Sequence, residues 1–236
     1  MRGKGELRTH RRGVTTVHSG NNASLICEHD RGNHFVMSTW KISLPNRPMC
    51  FVTFSVGNQT FHNCSDRIHH DVGFKQINLS IVNVTISDEG HYTCEALNET
   101  GHSTYNFTLE VLAQPSVSLE LNSAGSPECR AIGGYPAAEI SWMPHSYNTH
   151  TTQAAESDQS WTVISTYGLH GDNVTSVTCS VSHPTFVTPW IQSVNITASR
   201  RNYSSSTDFW RIMSLIIFIC TVIGLLTYCK YKRGVS

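Results

Sequence analysis

The sequence has little charge and no excess of either sign. Seventeen lysines and arginines balance seventeen aspartates and glutamates, and charged residues are only 14% of the 236. A nucleic-acid binder needs a basic face, which this balance argues against. The short signatures of common catalysts are also missing: there is no G-x-S-x-G, no phosphate-binding glycine loop and no H-E-x-x-H. Outside one C-terminal segment, no run of 11 or more residues has helical periodicity. The start, MRGKGELRTHRRGVTTV, is basic but lacks the apolar stretch of a secretory leader, as expected either of a partial or alternatively started chain or of one given without its leader. Thirteen histidines are scattered along the sequence. His69 and His70 are adjacent in a strand candidate, so they point to opposite faces and cannot chelate together. His91 and His102 stand alone. The expectation is no metal, no cofactor and no catalysis.

What is present points to the cell exterior. Six of the eight cysteines, Cys27, Cys50, Cys64, Cys94, Cys129 and Cys179, fall at domain-like spacing, as in proteins of an oxidising compartment. Ten of the 15 asparagines begin Asn-x-Ser/Thr: Asn22, Asn58, Asn63, Asn78, Asn83, Asn98, Asn106, Asn173, Asn195 and Asn202. Serine and threonine at 52 positions would give about three by chance, so the excess implies a surface carrying N-glycans. All ten precede an uncharged apolar segment, Ile212–Tyr228. With Phe209, Trp210 and Cys229 that segment reaches roughly 30 Å as a helix, about one bilayer core. Trp210 and Tyr228 sit where interfacial aromatics belong, Arg211 can snorkel outward, and Lys230, Lys232 and Arg233 follow on the cytoplasmic side. The expected topology is single-pass type I in the plasma membrane, with the N-terminus extracellular.

Between these ends run short alternating segments with β-branched and aromatic residues, broken by Gly, Asn and Asp. The expected division has a disordered basic stretch at 1–14, a variable-type immunoglobulin-like sandwich at 15–112 and a constant-type one at 116–198. A polar stalk at 199–208, a membrane helix at 209–229 and a cytoplasmic tail at 230–236 complete it. In an immunoglobulin sandwich a cysteine pair bridges the sheets, a tryptophan packs on it, and a tyrosine two residues before the second cysteine forms a corner. Cys27, Trp40 and Asp88-Glu89-Gly90-His91-Tyr92-Thr93-Cys94 match that plan, and Cys129, Trp142 and Cys179 repeat it with Val177 at the corner. Arg67 and Asp88 stand where variable-type domains often pair an arginine with an aspartate; otherwise they are two exposed charges worth about 1 kcal/mol or less. Cys50 and Cys64 flank a hairpin-like segment. The expected bonds are Cys27–Cys94, Cys50–Cys64 and Cys129–Cys179. Cys220 and Cys229 stay outside this set, and Cys229 is a palmitoylation candidate.

Several motifs add a family resemblance over roughly residues 20–200. They are Trp40-Lys41-Ile42, Pro48-Met49-Cys50, Asn63-Cys64-Ser65-Asp66-Arg67-Ile68, GHYTCE at 90–95, Tyr135-Pro136-Ala137-Ala138-Glu139-Ile140-Ser141-Trp142 and VTSVTCSVSH at 174–183. Together they resemble the receptor for the OX-2 membrane glycoprotein, the cluster-of-differentiation two hundred receptor family. The resemblance implies two glycosylated extracellular domains and binding of that immunoglobulin-family glycoprotein, on another cell, by the membrane-distal domain. A further cysteine pair of the family, near Tyr147 and Tyr167, is missing here. With Trp40 inward, alternation turns Thr39, Lys41 and Ser43 outward; with Tyr92 and Cys94 inward it turns out His91, Thr93 and Glu95. These six are the expected ligand face. The tail offers only Tyr231, beside the bilayer, and the apolar segment has no basic residue to pair with an acidic adaptor. The expectation is a protein that binds without signalling alone, as a decoy or short-tailed form in immune regulation. An OX-2-like ligand or a general adhesion molecule is the alternative.

Overall fold

The computed structural model describes residues 8–28, 35–57, 59–73, 76–99, 101–168, 174–196 and 210–223, with side chains from residue 12 onward. The first nine strands form one sandwich: β1 (Arg8–His18), β2 (Ala23–Glu28), β3 (Phe35–Ser43), β4 (Cys50–Ser55), β5 (Gln59–His62), β6 (Ile68–Val72), β7 (Gln76–Ile81), β8 (Gly90–Asn98) and β9 (Gly101–Leu112). One sheet has the order β1-β9-β8-β3-β4-β5 and the facing sheet β2-β7-β6. Strand β2 shows why: Ala23, Leu25 and Cys27 are buried while Ser24, Ile26 and Glu28 are exposed, the period of a strand with one face on a core.

Trp40 on β3 is fully buried against the Cys27–Cys94 bond, opposite Cys94 in register, with its ring 5.7 Å from Phe107. Burying a side chain of this size contributes roughly 5 kcal/mol before entropy, at about 25 cal/mol per Å². The corner forms as the motif demands: the Tyr92 hydroxyl donates to the Asp88 carbonyl at 2.6 Å. Gly90 is required between them, because a Cβ there would lie 2.6 Å from the Ser43 carbonyl oxygen. Strands β4 and β5 make the hairpin flanked by Cys50 and Cys64, and those two are bonded.

One expectation is corrected. The stretch 1–14 was to be without structure, yet β1 begins at Arg8 and pairs in parallel with β9 from Arg8↔His102 to His18↔Leu112. The ladder is made by backbone groups on the edge of β9, so a basic, weakly patterned sequence can still join it.

The second sandwich has β10 (Ser116–Leu121), β11 (Pro127–Gly134), β12 (Glu139–Met143), β13 (Thr149–Ala155), β14 (Trp161–Tyr167), β15 (Ser176–Ser182) and β16 (Trp190–Asn195), in sheets β10-β11-β14-β13 and β12-β15-β16. Trp142 lies opposite Cys179, donates Nε1–H to Ser165 Oγ at 2.9 Å, and packs 5.4 Å from the Tyr167 ring. Cys129 and Cys179 are bonded, and Val177 is fully buried where the first domain has its corner tyrosine. At the joint, Ala113 and Tyr135 exchange two backbone hydrogen bonds of 2.9 Å. The Tyr135 hydroxyl donates to Glu89 Oε1 at 2.8 Å, and Glu89 Oε2 accepts the Val111 amide at 3.0 Å.

A helix occupies 210–223 and its residues are exposed. Among the described residues no helix is long and apolar enough to cross a membrane. The remainder of the expected span and the tail, 224–236, lie outside the described residues, as do 197–209 with the stalk.

Candidate protein-binding face

The outer surface of the six-stranded sheet collects the six expected residues. On β3, Trp40 and Ile42 are buried, Thr39 and Lys41 half-buried and Ser43 exposed; on β8, Tyr92, Cys94 and Ala96 are buried, Thr93 and Glu95 half-buried and His91 exposed. The register sets Thr39 opposite Glu95, Lys41 opposite Thr93 and Ser43 opposite His91, so all six share one face. Directly opposed residues of an antiparallel pair point the same way.

The patch is internally bonded. Lys41 Nζ lies 2.6 Å from Glu95 Oε1, a diagonal pair whose side chains are 38% and 28% exposed. A pair this open contributes about 0–1 kcal/mol to stability. Its larger effect is to hold two opposite charges side by side on the surface. The Thr39 and Thr53 hydroxyls meet at 3.2 Å, and Thr93 Oγ1 donates to Asn106 Oδ1 at 2.8 Å.

Register also adds residues that the sequence reading missed. Phe51 faces Lys41, Thr53 faces Thr39, and Phe61 on β5 faces Thr53, where it is 58% exposed. Alternation about Val52 would have turned Phe51 and Thr53 outward, but nothing in the sequence sets the phase of β5. On the far edge, Arg12 and Val14 flank Asn106 and Thr108.

The described sequons separate by position. Asn22, Asn63, Asn83 and Asn195 are exposed, and Asn78 and Asn106 are half-buried. Asn98 stands apart from the other described sequons: it is only 8% exposed, with its Oδ1 buried and without a partner among the described residues. It continues the inward phase of Tyr92, Cys94 and Ala96 along β8, a phase the tripeptide pattern does not encode. Asn58, Asn173 and Asn202 lie outside the described residues.

Below this face, His70 on β6 points into the sandwich, with Nε2 3.3 Å from Ser38 Oγ and its ring against Phe54. Burial pushes its pKa down, and neighbouring Asp71 opposes this only in part. His69 is exposed, and among the described residues no cluster could hold a metal ion. Cys220 is an exposed free thiol on the helix; Cys229 lies outside the described residues.

Known proteins agree with this architecture. Residues 45–111 match the immunoglobulin I-set domain, and residues 112–189 match the CD80-like C2-set immunoglobulin domain. The chain is 31% identical over 222 residues to cell surface glycoprotein CD200 receptor 1 of Mus musculus, covering 92% of this chain and 66% of that protein, slightly under two thirds of its length. It is 32% identical over 177 residues to cell surface glycoprotein CD200 receptor 1-B of Gallus gallus, covering 73% of this chain and 72% of that protein. The solved extracellular portion of mouse CD200RLa superposes with a TM-score of 0.66 at 29% identity, covering 77% of this chain and 96% of that one. These relatives are immunoglobulin-superfamily receptors of the cell surface, a non-enzymatic kind of protein. With two bonded immunoglobulin-like sandwiches and relatives of this identity over most of its length, the chain belongs to the CD200 receptor family.

Proposed function

We propose that this protein is a plasma-membrane receptor that binds an immunoglobulin-type ligand on another cell through the outer face of its first domain. CD200, the OX-2 glycoprotein, is the first ligand to test. The observation that carries the reading is the continuous patch of Thr39, Lys41, Ser43, His91, Thr93 and Glu95, extended by Phe51 and Phe61. It combines aromatic side chains with charges and hydroxyls, the mixture found at the centres and rims of protein interfaces. Membership of the family favours the receptor side over an OX-2-like ligand. The apolar segment 209–229 anchors the chain, and within 212–228 there is no basic residue to recruit an acidic adaptor. Ligand engagement then proceeds without adaptor-driven signalling, as in a decoy.

Surface plasmon resonance of residues 8–208 as a secreted two-domain protein against a panel of immunoglobulin-type ectodomains, CD200 included, tests the binding. Saturable binding to CD200 supports the reading, and binding to no member of the panel contradicts it.

A further inference from the structure

The face carries two sequons on the same line across the sheet. Reading along that line, Asn106 on β9 opposes Thr93, Thr93 opposes Lys41, and Lys41 opposes Phe51. Just past the end of β5, Asn63 closes the row, its amide donating to the Phe51 carbonyl at 3.2 Å and its Oδ1 accepting the Phe51 amide at 2.6 Å. Four strand spacings separate the two asparagines, about 19 Å. In a strand, an asparagine and the residue two places on share a face, so Asn106 and Thr108 both lie outward. Phe107 between them packs inward on Trp40. Asn98, by contrast, is buried in the core.

Of the exposed apolar residues of the face, Val14, 66% exposed, sits on the edge strand β1 opposite Thr108, and two others lie beyond the line. Phe61, 58% exposed, belongs to the next row, with Thr53, Thr39, Glu95 and Thr104. Leu97, 38% exposed, belongs to the row after that, opposite Met37 and His102. These rows lie away from the second domain, which the chain enters after Leu112 at the other end of β9. Glycans are bulky and solubilising and cover the surface beside them. The Cys50–Cys64 bond meanwhile fixes the hairpin that presents Phe61, so less ordering is needed on binding.

We propose that N-glycans on Asn106 and Asn63 bracket the Lys41 row and steer the ligand to the two rows beyond it, with Phe61 and Leu97 as apolar anchors. This rests on the receptor reading above and names the part of the face that serves it. The partner surface it fits is a folded domain with an apolar centre that meets Phe61 and Leu97 and a charged rim that meets the Lys41–Glu95 pair at their edge.

The test uses the full chain expressed on mammalian cells, with glycopeptide mass spectrometry and soluble CD200 ectodomain as the probe. Both sites are expected to be occupied. Thr108→Ala and Ser65→Ala each remove one sequon while keeping its asparagine, and are expected to leave affinity equal or higher. Phe61→Ala and Leu97→Ala are expected to weaken binding at least tenfold. Thr53→Asn, followed by Phe54 and Ser55, creates a new sequon in the anchor row and is expected to abolish binding once glycosylated. An unoccupied Asn106 or Asn63, or full affinity in a glycosylated Thr53→Asn chain, overturns the proposal. A wild-type chain that binds nothing overturns the receptor reading instead, so the two failures are distinguishable.

Discussion

The guanidinium of Arg67 grips both carboxylate oxygens of Asp88, at 2.9 and 2.8 Å, where the Asp88 side chain is only 4% exposed. The same arginine donates to the carbonyls of Val82 and Asn83, and Asp88 also accepts the Thr85 amide and hydroxyl. The alternative of two exposed charges is therefore wrong for this pair. Burial pushes the Asp88 carboxyl up, but the bonds from Arg67 and Thr85 outweigh it and hold the carboxyl below the usual range. Breaking one side of such a pair leaves a buried charge without its partner. Arg67→Ala is expected to destabilise the first domain by about 3–5 kcal/mol, read by urea unfolding. A folded-state pKa below the unfolded value gives stability that is full above roughly pH 4 and is lost as pH falls further. Asp88→Asn is expected to flatten that acid limb.

The Cys50–Cys64 bond closes a short loop, with a sequence separation of 14. By the chain-entropy argument, replacing both cysteines with serine is expected to cost about 3 kcal/mol. The Cys27–Cys94 core should stay intact, since neither residue belongs to it. Denaturant midpoints, with peptide mapping under non-reducing conditions, check both statements.

His70 supplies a second pH dependence. Its ring is held against Ser38 and Phe54, and burial lowers its pKa below the ordinary value, with Asp71 opposing. The unfolded chain therefore binds a proton more readily from about pH 6.5 downward, and stability falls there as pH drops. His183 is lowered by burial as well and adds to the same slope. His70→Gln is expected to reduce, not remove, the slope of unfolding free energy between about pH 6.5 and 5. An unchanged slope would contradict this placement of the ring.

The parts of the fold that were legible are those with a phase reference. Trp40, Tyr92 and Cys94 must point inward in an immunoglobulin sandwich, so their neighbours on β3 and β8 had to point outward, and they do. Strand β13 had no such signal. All seven of its residues are exposed, so no apolar alternation marks Thr149–Ala155 as a strand. Strand β1 is held by its backbone ladder to β9, which composition does not reveal. The Lys41–Glu95 contact joins residues 54 positions apart, and only the register of β3 against β8 brings them together. Asn98 shows the converse: a local tripeptide was legible, but its burial depends on the strand that contains it.

The central claim is that the outer face of the first domain binds the ligand, and the Lys41–Glu95 pair permits a direct test of it. Exchanging the two charges, Lys41→Glu with Glu95→Lys, keeps an ion pair between the same positions, so the fold should tolerate it with Tm nearly unchanged. What changes is the order of charge presented to a partner, and mismatched charge at an interface costs several kcal/mol. The decisive measurement is the Kd of the doubly exchanged protein for CD200 beside the unaltered one, at equal surface expression. The account predicts at least a tenfold loss of affinity with normal secretion and thermal stability; full affinity in the exchanged protein would contradict it.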